Sequence, residues 1–329
     1  MSKIPSEETK TLLEWALRLC PDSSRNQVKT WIAKGRFCLN GEVVNKASVR
    51  LPDPGDTLTM GPPSQTQRSW GIRVPIHPKL VLVSLDSDLA IVDKEAGLLS
   101  VPTNQQNQDS ALDALAAYLN DARGEATRRG IFGHSEFVQP LPVHRLDQYT
   151  SGLLCIAMNE KARAHLIDQL RRHDFLREYI AYVDGEVKAP TGTWRNFMQL
   201  DPTGFYQNIV PAHTPGATEA ITHYKLITHF AQHRVSKLRL RLETGLKHQI
   251  RLQAAAHGLT LIGDRRYEGG TKKALAEKGG TLPYHFKRQA LHAATIGITH
   301  PTTGRKMRFE SKIPGDMQRL EARISDQKT

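Results

Sequence analysis

Apolar positions in this chain follow two regimes on either side of a polar stretch. Near the N-terminus, Leu12, Leu13, Ala16, Leu17 and Leu19 recur at helical spacing within Thr11 to Cys20. Pro21-Asp22-Ser23-Ser24 breaks that helix and offers caps for a second, Arg25 to Lys34. There Val28, Ile32 and Ala33 are expected to turn inward, leaving Arg25, Lys29 and Lys34 outside. Phe37-Cys38-Leu39 and Glu42-Val43-Val44 then read as strands joined by an Asn40-Gly41 hairpin. Pro54-Gly55-Asp56 turns the chain into a last strand, Thr57-Leu58-Thr59. This small α+β unit spans 10–62, and residues 63–79, rich in Pro, Gln, Ser and Arg without periodicity, read as a linker.

The larger unit, 80–329, mixes both periods. Val81-Leu82-Val83 and Leu89 to Lys94 predict strands around an Asp-Ser-Asp turn, and Leu112, Leu115, Ala116 and Leu119 predict a helix within 109–120. Residues 121–136, with three arginines and three glycines, read as an exposed loop. Leu153 to Ala157 has the length of a buried strand, 160–172 is an amphipathic helix, and 177–183 alternates as a strand. Residues 217–224 predict another strand, and Leu238, Leu240 and Leu242 alternate cleanly with charged neighbours. His248 opens a helix that places His248 and Arg251 on one face.

Charge narrows the partners. With 45 Lys and Arg against 33 Asp and Glu, the net charge of +12 points to a polyanion, nucleic acid first. No apolar run approaches the roughly 20 residues of a membrane helix, and Met1 to Lys10 lacks the pattern of a signal peptide. A cytoplasmic protein without membrane contact is expected. Cys20, Cys38 and Cys155 form no Cys-x-x-Cys pair, and His229 with His233 has the spacing of a metal pair but no third ligand, so no metal site is expected.

The chemistry concentrates in Leu141-Pro142-Val143-His144-Arg145-Leu146-Asp147-Gln148-Tyr149-Thr150-Ser151-Gly152. A short charged segment at a strand edge, backed by Thr150, Ser151 and Gly152, suits a rigidly presented carboxylate, Asp147. A turn aspartate paired to Arg145 is the plainer alternative. A kinase catalytic loop is excluded, because neither the glycine-rich loop nor Asp-Phe-Gly occurs.

His144-Arg145-Leu146-Asp147-x-x-Thr150-Ser151-Gly152 resembles the catalytic motif of the RluA-type pseudouridine synthases. The resemblance extends to Lys94-Glu95-Ala96-Gly97-Leu98-Leu99, to Tyr179-x-Ala181-x-Val183-x-Gly185, to Thr244-Gly245-Leu246-x-His248-Gln249-Ile250-Arg251, and to Gly263-Asp264. Ser24-Arg25, Ile32-x-x-Gly35, Leu39-Asn40-Gly41 and Gly55-Asp56 resemble an alpha-L RNA-binding domain. These likenesses imply an α+β fold with a large mixed, mainly antiparallel catalytic sheet. They also imply an isomerase that needs no cofactor, with Asp147 as the essential catalytic residue, Arg251 as its partner and Tyr179 packed on the target base. Arg25, Lys29, Lys34, Arg145 and His248 become RNA-contact candidates. Leu246 and Gln253 depart from the family's usual Arg and His, and each departure is expected to weaken a phosphate contact.

A monomer acting on large-subunit ribosomal RNA is the preferred reading, with tRNA as the alternative substrate. Two other classes compete. A non-catalytic RNA-binding or assembly factor does not require Asp147, Tyr179 and Arg251 together, and a glycoside hydrolase needs a second converging carboxylate that the sequence does not supply. Deleting residues 1–62 is expected to leave a folded catalytic unit with weaker RNA binding. Its slope of log K against log salt should be shallower than that of the full chain, and an unchanged slope would remove the first unit from the substrate interface.

Overall fold

The computed structural model describes residues 2–3, 10–21, 23–33, 37–39, 42–44, 46–48, 50–51, 57–60, 73–103, 108–121, 130–132, 137–204, 206–267 and 286–325. The chain divides into two compact units, Met1–Ser69 and Trp70–Thr329. In the first, helix Leu12–Leu19 starts at a capping box, with the Thr11 hydroxyl accepting from Glu14 N–H and the Glu14 carboxylate accepting from Thr11 N–H. Helix Arg25–Ala33 packs beside it, and Leu12, Leu13, Trp15, Ala16, Val28, Ile32, Phe37 and Leu58 form one core. Trp15, absent from the sequence reading, is buried, while Ala33 is exposed because Val28 and Ile32 already fill the inward stripe. Strands β1 (Ser2–Lys3), β3 (Phe37–Leu39), β4 (Glu42–Val43) and β6 (Thr57–Met60) form an antiparallel sheet in the order β1-β6-β3-β4. A separate pair joins β2 (Lys10–Thr11) to β5 (Arg50–Leu51). The expected turns at Asn40-Gly41 and 54–56 lie outside the described residues, as does most of the 121–136 loop.

The second unit is built on a 12-stranded mixed sheet. Its main path begins with β14 (Gln207–Val210), β13 (Thr191–Leu200), β15 (Thr218–Phe230), β16 (Val235–Leu242) and β12 (Leu176–Asp184). It continues through β17 (Leu291–Thr299), β11 (Ser151–Ala157), β9 (Leu89–Lys94), β8 (Leu80–Leu85) and β7 (Val74–His77). Strands β10 (Leu141–Pro142) and β18 (Lys306–Glu310) join β11 and β17 from the side. Every pairing is antiparallel except β11 with β17, which run parallel through Ser151↔His292 and Gly152↔Ala293. Strand β11 is buried along its whole length, as an unbroken apolar run between covered faces requires. One face carries the core around Leu146, Leu154, Tyr179, Ala181, Leu238, Leu240 and Ile250. Helices Glu160–Arg171 and Gly315–Ser325 cover two smaller clusters.

Two local readings change. The linker expectation for 63–79 runs too far, because Val74-Pro75-Ile76-His77 is an edge strand paired to β8 with Ile76 buried. Prolines at 75 and 78 hide its alternation, and an edge tolerates them. His229 lies in β15, bonded to Ser236 Oγ at 3.0 Å, and His233 lies in the following 3₁₀ turn, so their spacing of four never acquires helical geometry.

Gln253 also proves structural. Its side chain is fully buried and donates to the carbonyls of Trp194 at 3.1 Å and Ala220 at 2.9 Å, while accepting from the Thr222 hydroxyl at 2.6 Å. It pins helix Gln249–Ala256 to β13 and β15 and is sealed from any phosphate, which corrects the expectation placed on it. Gln253→Leu should therefore lower stability by about 3 kcal/mol in urea titrations through orphaned buried groups, with RNA affinity unchanged.

Candidate active site

Asp147 sits in the turn before β11, and its neighbours in sequence are held individually. Ser100 Oγ donates to the Leu146 carbonyl and accepts from the Leu146 N–H, both at 2.9 Å. The Gln148 carbonyl accepts from Gly97 N–H at 2.8 Å and from Lys94 Nζ at 3.0 Å. Buried Arg288 donates to the Tyr149 carbonyl at 3.2 Å, and Gln289 donates to Thr150 Oγ1 at 3.2 Å. Thr150 and Ser151 thus bond mainly to distant elements rather than locally, Ser151 Oγ lying 3.0 Å from His292 Nδ1. Behind the turn, Gly152 has φ +113°, and a Cβ there would stand 2.2 Å from the Ala293 carbonyl oxygen, so only glycine admits the close β11–β17 approach.

The carboxylate itself meets Arg251, whose Nη1 donates to Asp147 Oδ2 at 3.1 Å. The two-pronged bond of Arg251 is made elsewhere: Nε donates to Asp264 Oδ2 at 2.6 Å and Nη2 to Asp264 Oδ1 at 2.8 Å. Asp264 has no exposed side-chain surface, against 10% for Arg251 and 18% for Asp147, so the fork is interior and the Asp147 end faces outward. Burial works against the Arg251 charge, but the bonds to Asp264, and then Asp147, raise its pKa above the ordinary arginine value. The sequence reading gave Arg251 one partner and missed Asp264, although Gly263-Asp264 was part of the resemblance.

His248 is the left-handed N-cap of the helix rather than its first residue, and its Nε2 lies 3.9 Å from Asp147 Oδ1. Burial pulls its pKa down to about 4, so at neutral pH the ring adds no positive charge beside Asp147. Lys94 is buried with its ammonium directed at the carbonyls of Glu95, Leu98 and Gln148, and burial lowers its pKa to about 7 while the Asp147 carboxylate opposes the fall. His144 Nε2 accepts the Cys155 N–H at 3.0 Å, and burial lowers its pKa to about 3, which leaves the ring neutral.

A cavity of about 440 Å³ opens beside Asp147, walled by Arg177, Tyr179, Leu242, Ile250 and Leu291. Tyr179 and Arg177 project on one face of β12, two residues apart. The Tyr179 ring is 6% exposed, and burial pushes its phenol up to about 12, so it stays neutral. Arg177 donates to the Glu243 and Thr244 carbonyls, which makes it a brace for the wall. Leu246 lines the same cavity. Arg145 is exposed at the mouth and makes no bond to Asp147, so the plain turn-ion-pair reading fails. Arg25 and Lys29 are exposed on the first unit, and Lys34 lies outside the described residues.

The profile of the RNA pseudouridylate synthase family matches residues 88–256, a span holding the Asp147 turn, Tyr179 and Arg251. The chain belongs to that family. An S4 domain profile matches residues 12–58 of this synthase. The synthase is 31% identical over 311 residues to ribosomal large subunit pseudouridine synthase D of Vibrio cholerae serotype O1, covering 91% of this chain and 86% of that one. It is 32% identical over 302 residues to the protein of that name from Escherichia coli strain K12, with coverage of 91% and 86%. Its fold is similar to that of human RNA pseudouridylate synthase domain containing 4, with a TM-score of 0.56 at 18% identity, covering 74% of this chain and 92% of that one.

One further polar cluster of the synthase stands apart from this site. Among the described residues, Asp86, Asp88 and His300 bring their polar atoms within 4.8 Å of one another. His300 Nδ1 accepts the Thr302 and Thr303 N–H groups at 3.1 and 3.2 Å, which leaves the proton on Nε2, facing Asp86 at 3.4 Å and Asp88 at 3.8 Å. A protonated nitrogen is no metal ligand, and the cluster joins two turns of the sheet edge.

No helix among the described residues is long and apolar enough to cross a membrane. The Asp264 fork yields a graded test. Arg251→Met should slow single-turnover chemistry most, with Arg251→Lys between Met and wild type. Asp264→Asn should cost about 10²-fold through misplacement of an intact arginine. A full chemical rate with weakened binding in Arg251→Met would make Arg251 a phosphate clamp.

Proposed function

We propose that this chain isomerises uridine to pseudouridine in large-subunit ribosomal RNA, as a single chain in the cytosol, with Asp147 as the catalytic residue. The reaction breaks the N1–C1′ bond, turns the base and rejoins it through C5, so no atom or electron is gained or lost. It calls for one ionised carboxylate near the sugar, acting as nucleophile or proton acceptor. The observation that carries the reading is the Asp147 carboxylate held by an arginine that is itself locked on buried Asp264. That lock keeps Arg251 in place whether or not RNA is bound.

Tyr179, neutral and packed at the cavity wall, offers its ring to the uracil and excludes water from the carboxylate. The target nucleotide has to leave its stack to reach it, at a cost of a few kcal/mol that phosphate contacts offset. Arg145 and Lys247 at the cavity mouth supply such contacts here, and Arg25, Lys29 and Lys34 supply them on the first unit. The ribosomal substrate is supported by the similarity to two ribosomal large subunit pseudouridine synthases and by the S4 domain, a module suited to structured RNA.

Asp147→Asn keeps the shape and removes the charge. Isomerisation should fall by at least ~10³-fold in a single-turnover assay while RNA affinity stays within a few-fold. Pseudouridine mapping in ribosomal and transfer RNA from cells with and without the protein should show sites lost in the large-subunit ribosomal RNA. Loss confined to transfer RNA would overturn the substrate assignment and leave the chemistry standing.

A further inference from the structure

Asp147 stands on the divide between two cavities. The first is the Tyr179 cavity of about 440 Å³; the second, of about 390 Å³, opens on the other side of the same turn. Arg145, Asp147, Lys247, His248 and Arg251 line both. Strand β12 and its tyrosine are missing from the second cavity, which is bounded instead by Tyr149, Arg265, Lys287 and Arg288.

The second cavity has an unusual balance of groups. Among the described residues, no acidic residue other than Asp147 lines it, whereas arginines and lysines come from several segments distant in sequence. Arg265 and Lys287 are exposed and, among the described residues, make no hydrogen bond or ion pair. A phosphodiester is the ligand such a wall takes. A single exposed tyrosine on a protein surface needs no explanation. Tyr149 differs because its backbone is immobilised: Arg288, buried and locked on Asp316 at 2.7 and 3.0 Å, donates to its carbonyl. The ring is nevertheless 52% exposed, two residues from the carboxylate, on a turn fixed at almost every residue. A rigidly based, solvent-facing aromatic within a cationic cavity is the arrangement that single-stranded RNA uses for stacking.

We infer that Tyr149 is a positioning residue, the platform on which the nucleotide next to the target uridine stacks while Arg265 and Lys287 hold its phosphates. The inference rests on the synthase reading for the direction of the strand, which runs from one cavity across Asp147 into the other. It assigns the two cavities separate tasks. The Tyr179 side receives the reacting uracil, and the Tyr149 side holds the neighbour that stays outside the chemistry. Because any base has a π-face, the platform adds affinity with little choice of sequence.

The test uses the full chain, a fluorescent decauridylate and a matching abasic ribose-phosphate decamer. Tyr149→Ala should weaken decauridylate binding roughly 5- to 150-fold, the range of one base stacked on an aromatic ring. Tyr149→Phe should stay within about 2-fold of wild type, since the ring and not the hydroxyl carries the contact. Neither change should alter binding of the abasic strand. Arg265→Gln and Lys287→Gln should each lower the salt slope by about 0.7, the single-strand value per phosphate contact, for both strands.

Equal binding of decauridylate by wild type and Tyr149→Ala overturns the inference, as does equal loss on the abasic strand. Thermal unfolding checks that the variants remain folded, and the Phe variant keeps the test valid if Ala destabilises the turn. Failure of the synthase reading is seen separately, as absence of pseudouridine in ribosomal RNA treated with wild type, because these affinities are read without turnover.

Discussion

The site depends on a buried charge that cannot leave. Arg251 is bound through two nitrogens to an aspartate with no solvent exposure, and only its remaining nitrogen is spent on Asp147. Removing two charges from water is expensive unless geometry and hydrogen bonding are both near ideal, and the fork to Asp264 meets that condition. The consequence is preorganisation. The guanidinium is already in place before substrate arrives, so none of the binding free energy goes into ordering it. A fork made directly to Asp147 would occupy both oxygens of its carboxylate, whereas a single bond engages only one of them.

Around that centre the backbone is treated in the same way. Residues 146, 148, 149 and 150 each bond to a different remote partner, namely Ser100, Lys94 with Gly97, Arg288 and Gln289. Loops generally owe their conformation to themselves; this one is held by the sheet beneath it. Neutral histidines at 144 and 248 complete the pattern, since burial removes their charge and leaves them as hydrogen-bonding and packing groups. Positive charge near the carboxylate therefore comes from arginines and lysines, among them buried Arg251 and Lys94 and exposed Arg145.

Much of this was legible in the sequence, for identifiable reasons. The apolar run Leu153 to Ala157 and the alternation from Leu238 to Leu242 gave strands because burial on known faces leaves a period in the sequence. Strands β13 and β14 left no such trace: Trp194 and Met198 are the deeply buried apolar residues of β13, four positions apart, so alternation never develops. Asp147, Tyr179 and Arg251 were singled out through motif resemblance. Asp264, Ser100 and Arg288 were not, because their roles exist only through contacts across long stretches of chain. Gln253 was misread for the same reason. Its place beside the motif suggested phosphate, while its four bonded partners lie on β13 and β15.

The parallel pairing of β11 with β17 carries a consequence for how the protein is made. Strand β17 is inserted between β12 and β11, and through Ala293 it abuts Gly152 directly behind the Asp147 turn. Until residues 288–299 have left the ribosome, the two halves of the sheet have nothing between them, and the turn lacks both Arg288 and Gln289. A growing chain thus exposes an RNA-seeking N-terminal domain long before it owns a finished carboxylate site. The Asp147 turn is completed late in synthesis, with the closing of a contact between segments about 140 residues apart.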